Sequence, residues 1–305
     1  MIIAASKCAA LMSSRAKIIV LGSNGRLGAA LIRRYSAMHD VTAFGRAELD
    51  LLNLEQIQSR LAGIEFDALI NAAGITNVDH CETHPDEARA SNATGPELIA
   101  RICQERGAKM VHVSTDYVFS GEGSTPQHED DEARPSNIYG RTKLEGERLV
   151  LAACPDALVV RVSWLFGLDK DSFPDRIIKT ALASDHVDAV SDKWSSPTYA
   201  EDLAGWLLPL ILREKECSGV VHLCNSGWAS WQEYGQEALN IAASMGLPLR
   251  THKVAALSMS GFPAFTATRP PFTVLATDRF RAATGITPRP WQEALSEYVR
   301  AKYSA

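Results

Sequence analysis

Short unbroken apolar runs alternate along the first half of the chain with longer stretches whose apolar residues recur three and four positions apart. KIIVLG (17–22), DVTAFG (40–45), FDALINAAG (66–74), AKMVHVST (108–115) and DALVVRVSW (156–164) read as buried strands. Continuous apolarity over so few residues fits strands covered on both faces. Between them GRLGAALIRRYSA, LEQIQSRLAG and the long PDEARASNATGPELIARICQERG carry the helical period, and a further helix opens near Asn137. Strands alternating with helices predict an α/β fold, a Rossmann-type doubly wound parallel sheet with right-handed crossovers.

The second half is less regular. Residues 164–197 mix Gly, Asp, Ser and Pro around one helical segment, FPDRIIKTALAS. PTYAEDLAGWLLPLILR (197–213) reads as a helix with Pro197 in its first turn, a position proline tolerates. GVVHLCN (219–225) reads as a sixth strand, SWQEYGQEALNIAASMG as a helix closed by Gly246, and PRPWQEALSEYVRAKY as the last helix. The expected division is an N-terminal extension, 1–16, disordered or preceding a true start at Met12. A dinucleotide-binding domain follows, 17–163 plus about 198–223. A smaller, discontinuous substrate-binding part takes about 164–197 and 224–305.

The first strand-to-helix junction, VLGSNGRLGAAL, spaces Gly22, Gly25 and Gly28 with Asn24, Arg26 and Leu27 between them. Glycines let a turn close tightly and let a pyrophosphate rest on the free N–H groups of a helix N-terminus. After the second strand, FGRAELDL offers Arg46, Asp50 and Leu51 to the adenosine end of a cofactor. An acid there holds the ribose 2′-OH of NAD and a base accepts the 2′-phosphate of NADP. Arg46 therefore favours NADP (NADPH), with NAD as the alternative. Ala72, Ala73 and Gly74 at the third strand's end leave room for a flat cofactor.

Y-x-x-x-K occurs twice, as Tyr139 and Lys143 in NIYGRTK and as Tyr298 and Lys302 in YVRAK. The first pair follows Thr115, at the end of the fourth strand, on a helix that Asn137 can cap. Tyr139 and Lys143 then share a face one turn apart. The second pair has no such partner and reads as a surface pair. Reducing a ketone requires a proton for the developing alkoxide. A phenol of pKa about 10 serves poorly at neutral pH; a nearby ammonium would lower that value. Thr115 would align the carbonyl oxygen.

Composition narrows the field. The net charge is −5 and no basic run stands out, so neither nucleic acid nor an anionic membrane is an expected partner. No apolar run is long enough to span a bilayer. The six cysteines lack metal or C-x-x-C spacing, which reads as free thiols in a reducing cytoplasm. HEDDEAR (128–134) reads as a solvated loop, His80, His84 and His112 lack ligand spacing, and Trp194, Trp228, Trp231 and Trp291 read as packing residues.

GSNGRLG, NAAGITNVDHCE, STDYVFSG, RPSNIYGRTKLEGE, RVSWLFG, SSPTYAEDLA and RPPFTVLATDRF together resemble the extended short-chain dehydrogenase/reductases. The similarity runs from about Lys17 to the last helix. Within that family the chain resembles the branch that completes dTDP-L-rhamnose by reducing the 4-keto group of its dehydro precursor. The resemblance implies a Thr115–Tyr139–Lys143 triad, NADPH as hydride donor, and a sugar pocket lined by Thr76, Val78, Tyr117 and Trp164, the last giving its apolar face to the deoxysugar. Three departures qualify this. TRPPFT places Phe272 and Thr273 where the family commonly has Asn and Ser, which would change nucleotide contacts. NAAGITNVDHCE departs from the family's common form and blurs the sugar specificity. Ala30 stands where metal-using members carry glutamate, so no metal is expected. A reductase or epimerase of another nucleotide sugar remains an alternative, as does a regulatory NADP-binding subunit that keeps the fold for a partner. A homodimer is compatible with all three.

Overall fold

The computed structural model describes residues 15–212, 217–261 and 265–304. Its centre is a sheet of six parallel strands: β1 (Lys17–Leu21), β2 (Asp40–Phe44), β3 (Ala68–Asn71), β4 (Lys109–Thr115), β5 (Leu158–Val162) and β6 (Gly219–His222). Their order is β6-β5-β4-β3-β1-β2. From β1 the chain steps outward to β2, then returns to lay β3 on β1's other side. That reversal opens a crevice beyond the C-terminal ends of β1 and β3, where ligands bind in such sheets.

Alternate residues of the strands feed the two faces. Ile18, Val20, Ile70 and Val160 pack with helix α1 (Arg26–Tyr35) and with a later helix, Ala200–Ile211. Ile19, Leu21, Leu69 and Val159 pack with α2 (Leu54–Ala62), α3 (Gly95–Arg106) and α4 (Ile138–Ala153). Local chemistry sets the ends. Asn53 caps α2 by accepting from the Gln56 N–H, Asn137 caps α4 by accepting from the Gly140 N–H, and Gly107, at φ +63°, closes α3. The long helix expected before Gly107 is interrupted. Pro85–Arg89 is helical, Ala90–Thr94 widens into a π turn, and α3 follows. The wide turn buries Asn92, whose amide bonds both the N–H and the carbonyl of Ile75 beside the crevice.

A second core lies to one side. It is built by α5 (Phe173–Ala183) and, after Ala200–Ile211 (α6), by α7 (Trp231–Ser244) and α8 (Trp291–Tyr303), around Phe166, Tyr199, Tyr234 and Tyr298. The helix expected from Pro197 starts only at Ala200. Thr198–Tyr199 instead pairs with Leu165–Phe166 as a short parallel ribbon. The reason is that the Tyr199 N–H donates to Asn225 Oδ1, and its ring stacks on Phe166 at 5.2 Å.

Four expectations need correction. Residues 15 and 16 are ordered: Ala16 is buried and its carbonyl accepts from the Asp40 N–H, while Arg15 pairs with Asp40. Residues 1–14 lie outside the described residues. Phe280, in the part assigned to substrate binding, packs into the first core. In the acidic 128–134 loop, Glu129 is buried and accepts the His222 N–H at 2.9 Å. Tyr298 and Lys302 are no surface pair. The apolar face of α8 turns Tyr298 inward to 0% exposure, where its hydroxyl donates to Asp175 and meets Ser172 Oγ at 3.0 Å. Lys302 closes the cluster, 3.3 Å from Asp175. Tyr298→Phe removes a donor from a buried carboxylate and costs about 1–3 kcal/mol in urea unfolding, while turnover per folded molecule stays unchanged.

Among the described residues no helix is long and apolar enough to cross a membrane.

Candidate active site

Backbone contact shapes the crevice. A Cβ on Gly22, whose φ is +82°, would stand 2.9 Å from the Ala72 carbonyl, and one on Gly28 would stand 2.1 Å from the Gly22 oxygen. These two glycines draw the ends of β1 and β3 together and seat α1 on the turn. Gly28 therefore serves packing and does not face the open space. At the start of α1, Gly25 supplies no side-chain cap and the first turn holds no acid. Its free N–H groups fit an anionic phosphate. Arg46 lies exposed at the far rim, Nε 3.4 Å from Asp50 and Nη2 3.7 Å from Glu87. Asp50 is oriented by the Leu52 N–H at 3.1 Å. This donor set fits a dinucleotide with a 2′-phosphate.

The crevice has a volume of about 610 Å³. Gly22, Asn24, Gly25, Arg26 and Leu27 line one end, with Arg46, Asp50 and Leu51 beside them. Ala72, Ala73, Gly74, Thr76 and Val78 come from the segment after β3, and Thr115 and Tyr117 from the end of β4. Tyr139 and Lys143 from α4, with Trp164 after β5, complete the wall. Every residue expected at the site is thus brought together except Gly28. Ser114, Asp116 and Lys170 also reach the space. An ionisable residue directly after an apolar strand, as in STDYVF, is the signal that points to Asp116.

Helix α4 is held rigidly. Glu147, one turn beyond Lys143, accepts from Arg161 at 2.7 and 2.9 Å and from Ser114 at 2.5 Å. Tyr139 packs edge-on against Tyr117 at 5.6 Å and lies beside Thr115. Lys143 Nζ donates to the Val113 carbonyl at 2.7 Å and lies 3.4 Å from His112 Nε2. Burial raises the Tyr139 phenol above its ordinary value, and burial lowers Lys143 to about 8. The expected lowering of Tyr139 by Lys143 is thus absent from this chain alone: the amine turns to Val113, and desolvation dominates the phenol.

Asp116 ties the two cores together. Thr115 Oγ1 donates to its Oδ1 at 3.1 Å, and Ser163, Ser195 and Thr273 donate to its Oδ2 at 2.8, 3.2 and 2.5 Å. Thr273 is fully buried in this cluster and Phe272 beside it is nearly so. Neither lines the crevice, and both pack within this buried cluster. Arg269 from the same segment pairs with Asp79 at 2.7 Å and lies over the Phe265 ring.

A second cavity of about 550 Å³ adjoins the first, sharing Arg26, Tyr117, Trp164 and Leu165. Phe173, Trp231, Tyr234 and Phe265 give it aromatic walls. Trp231, expected only to pack, is thus a cavity residue; its neighbours come from distant segments, so no local pattern marked it. Tyr234 stacks between Trp164 and Phe173, and its buried hydroxyl lacks a hydrogen-bond partner among the described residues. Trp164 adopts φ +39°, the one positive φ outside glycine among the described residues.

The family described as RmlD substrate binding domain matches residues 16–304. A dTDP-4-dehydrorhamnose reductase of Mycolicibacterium smegmatis is 38% identical over 293 residues, 95% of this chain and 86% of that protein. A solved dTDP-4-dehydrorhamnose reductase of Clostridium acetobutylicum aligns with a TM-score of 0.87 at 33% identity, over 93% of this chain and 99% of that one. The enzyme of that name from Bacillus anthracis, solved in complex with NADP, aligns at 0.86 and 29% identity, over 94% of this chain and 98% of that one.

Proposed function

The chain belongs to the RmlD substrate binding domain family, and from that membership we propose that it reduces the 4-keto group of dTDP-4-dehydro-L-rhamnose, using NADPH, to give dTDP-L-rhamnose. The observation that carries the reading is the meeting of Thr115, Tyr139 and Lys143 in one buried wall of the crevice opposite the bare N-terminus of α1. We place the reaction in the cytoplasm.

In this reading the Gly22–Leu27 turn holds the pyrophosphate, Arg46 the 2′-phosphate, and Ala72–Gly74 the flat middle of the cofactor. Bound NADPH supplies the hydride. Thr115 aligns the ketone oxygen by turning its hydroxyl from Asp116 to donate to that oxygen. Tyr139 holds the proton that passes to the developing alkoxide. Its burial suits this direction, because a phenol held above its ordinary pKa arrives protonated. Thr76, Val78 and Tyr117 border the sugar, and Trp164 presents a flat apolar face to the deoxy edge. The aromatic cavity beyond Trp164 suits the planar base.

The test is NADPH oxidation by the full chain with dTDP-4-dehydro-L-rhamnose and a panel of other keto nucleotide sugars. Turnover is expected on the dTDP deoxysugar above all others. Preference for a different sugar nucleotide would overturn the substrate. No turnover on any, with a stoichiometric protein partner captured, would favour the regulatory alternative.

A further inference from the structure

The rim that would meet the adenosine end of the cofactor carries a carboxylate with no role in the mechanism above. Two acids of the loop after β2 are tied down within it: Glu48 accepts the Gly45 N–H at 2.9 Å, and Asp50 accepts the Leu52 N–H at 3.1 Å. Glu87 arrives from a different element, the short helix Pro85–Arg89. Its Oε1 lies 3.7 Å from Arg46 Nη2, and its Oε2 lies 2.9 Å from His80 Nε2. The His80 ring in turn stacks on His84 at 4.2 Å. Glu87 is thus held beside Arg46 by a neighbour on its other side.

Position decides what this carboxylate does. A guanidinium offers two edges for doubly bonded recognition of an oxyanion, Nε with Nη2 and Nη1 with Nη2. Nη2 belongs to both edges, and it is the atom that faces Glu87. Asp50 already approaches Nε at 3.4 Å. A phosphate monoester carries close to two negative charges at neutral pH. A 2′-phosphate therefore has to displace Glu87 from Arg46 and then sit near a carboxylate that has lost its cation. The 2′-hydroxyl of NADH, being neutral, meets neither cost. We propose that Glu87 is a specificity-determining residue for the cofactor: it competes with the 2′-phosphate for Arg46, holds the preference for NADPH below what Arg46 alone would give, and keeps NADH usable by the same chain. The inference rests on Arg46 receiving the 2′-phosphate, as in the reading above.

Its test needs no turnover. The full chain is titrated with NADPH and with NADH in the absence of any sugar nucleotide, and each Kd is read from the quenching of tryptophan fluorescence. Glu87→Gln keeps the side chain's size and removes its charge. It should tighten NADPH about 3- to 10-fold at low ionic strength, while NADH changes less than about twofold. The gain should shrink as salt is added, because both groups are partly exposed. An unchanged ratio of the two Kd values in a folded Glu87→Gln protein overturns the inference. Arg46→Ala should weaken NADPH about tenfold or more, and in that background Glu87→Gln should recover less than about twofold. A full gain without the arginine would mean direct repulsion in place of competition, and would overturn the inference while leaving the cofactor reading intact. An Arg46→Ala protein that binds NADPH as before would place the 2′-phosphate elsewhere, and the reading of the rim would fall together with the role of Glu87.

Discussion

Tyr139→Phe lowers kcat for NADPH-dependent reduction by about 10²- to 10⁴-fold, the range typical of losing a positioned acid, while NADPH binding stays within a few-fold. The substitution removes one oxygen from a side chain that is 8% exposed and otherwise packs against Tyr117. The ring's packing survives, so the fold does, and α4 keeps its anchor through Glu147 and Arg161. What is lost is the proton for the alkoxide. Neither neighbour replaces it: the aliphatic hydroxyl of Thr115 is a far weaker acid than a phenol, and Lys143 is engaged with the Val113 carbonyl. Comparing kcat with cofactor affinity by titration separates the two effects. A fully active Tyr139→Phe protein would remove Tyr139 from the mechanism.

Arg161→Met destabilises the chain by about 3–5 kcal/mol, because removing one member of a buried ion pair strands the other charge. Arg161 and Glu147 have side chains only 5% and 2% exposed. The guanidinium makes two bonds to the carboxylate and lies over the Phe119 ring at 5.1 Å. Left alone, Glu147 would keep only the Ser114 hydroxyl in a desolvated setting. Against a typical total of about 5–15 kcal/mol this is a large share. Urea unfolding measures it. The double variant Arg161→Met, Glu147→Leu should recover much of the loss, since no charge then remains to be solvated. A double variant no more stable than Arg161→Met alone would show that packing, not the stranded charge, is responsible.

The parts of the molecule that depend on short-range rules were readable in the sequence. Strand runs covered on both faces, the glycine turn, the Asn137 cap and the one-turn spacing of Tyr139 and Lys143 each involve residues close along the chain. The sheet and the crevice follow from them. The misreadings share a different character. Tyr298 resembles a surface residue until α8 meets α5, and the Asp175 it bonds lies 123 positions away. Trp231 becomes a cavity wall only because Phe173 and Phe265 arrive from elsewhere. The π turn at Ala90–Thr94 looks like ordinary helix because its cause, the bonding of Asn92 to Ile75, lies outside the segment.

Asp116 has a consequence for how such a chain can be divided or recombined. Its hydroxyl donors come from four separate segments: Thr115 beside it, Ser163 after β5, and Ser195 and Thr273 from the far side of the molecule. A fragment ending at residue 163 would contain the glycine turn, the threonine, the tyrosine and the lysine, yet Asp116 would lack two of those donors. The second half is therefore not an exchangeable cassette. Any transplant that altered substrate preference would have to bring a hydroxyl to each of those two places, or the graft would disturb the threonine of the half it left untouched.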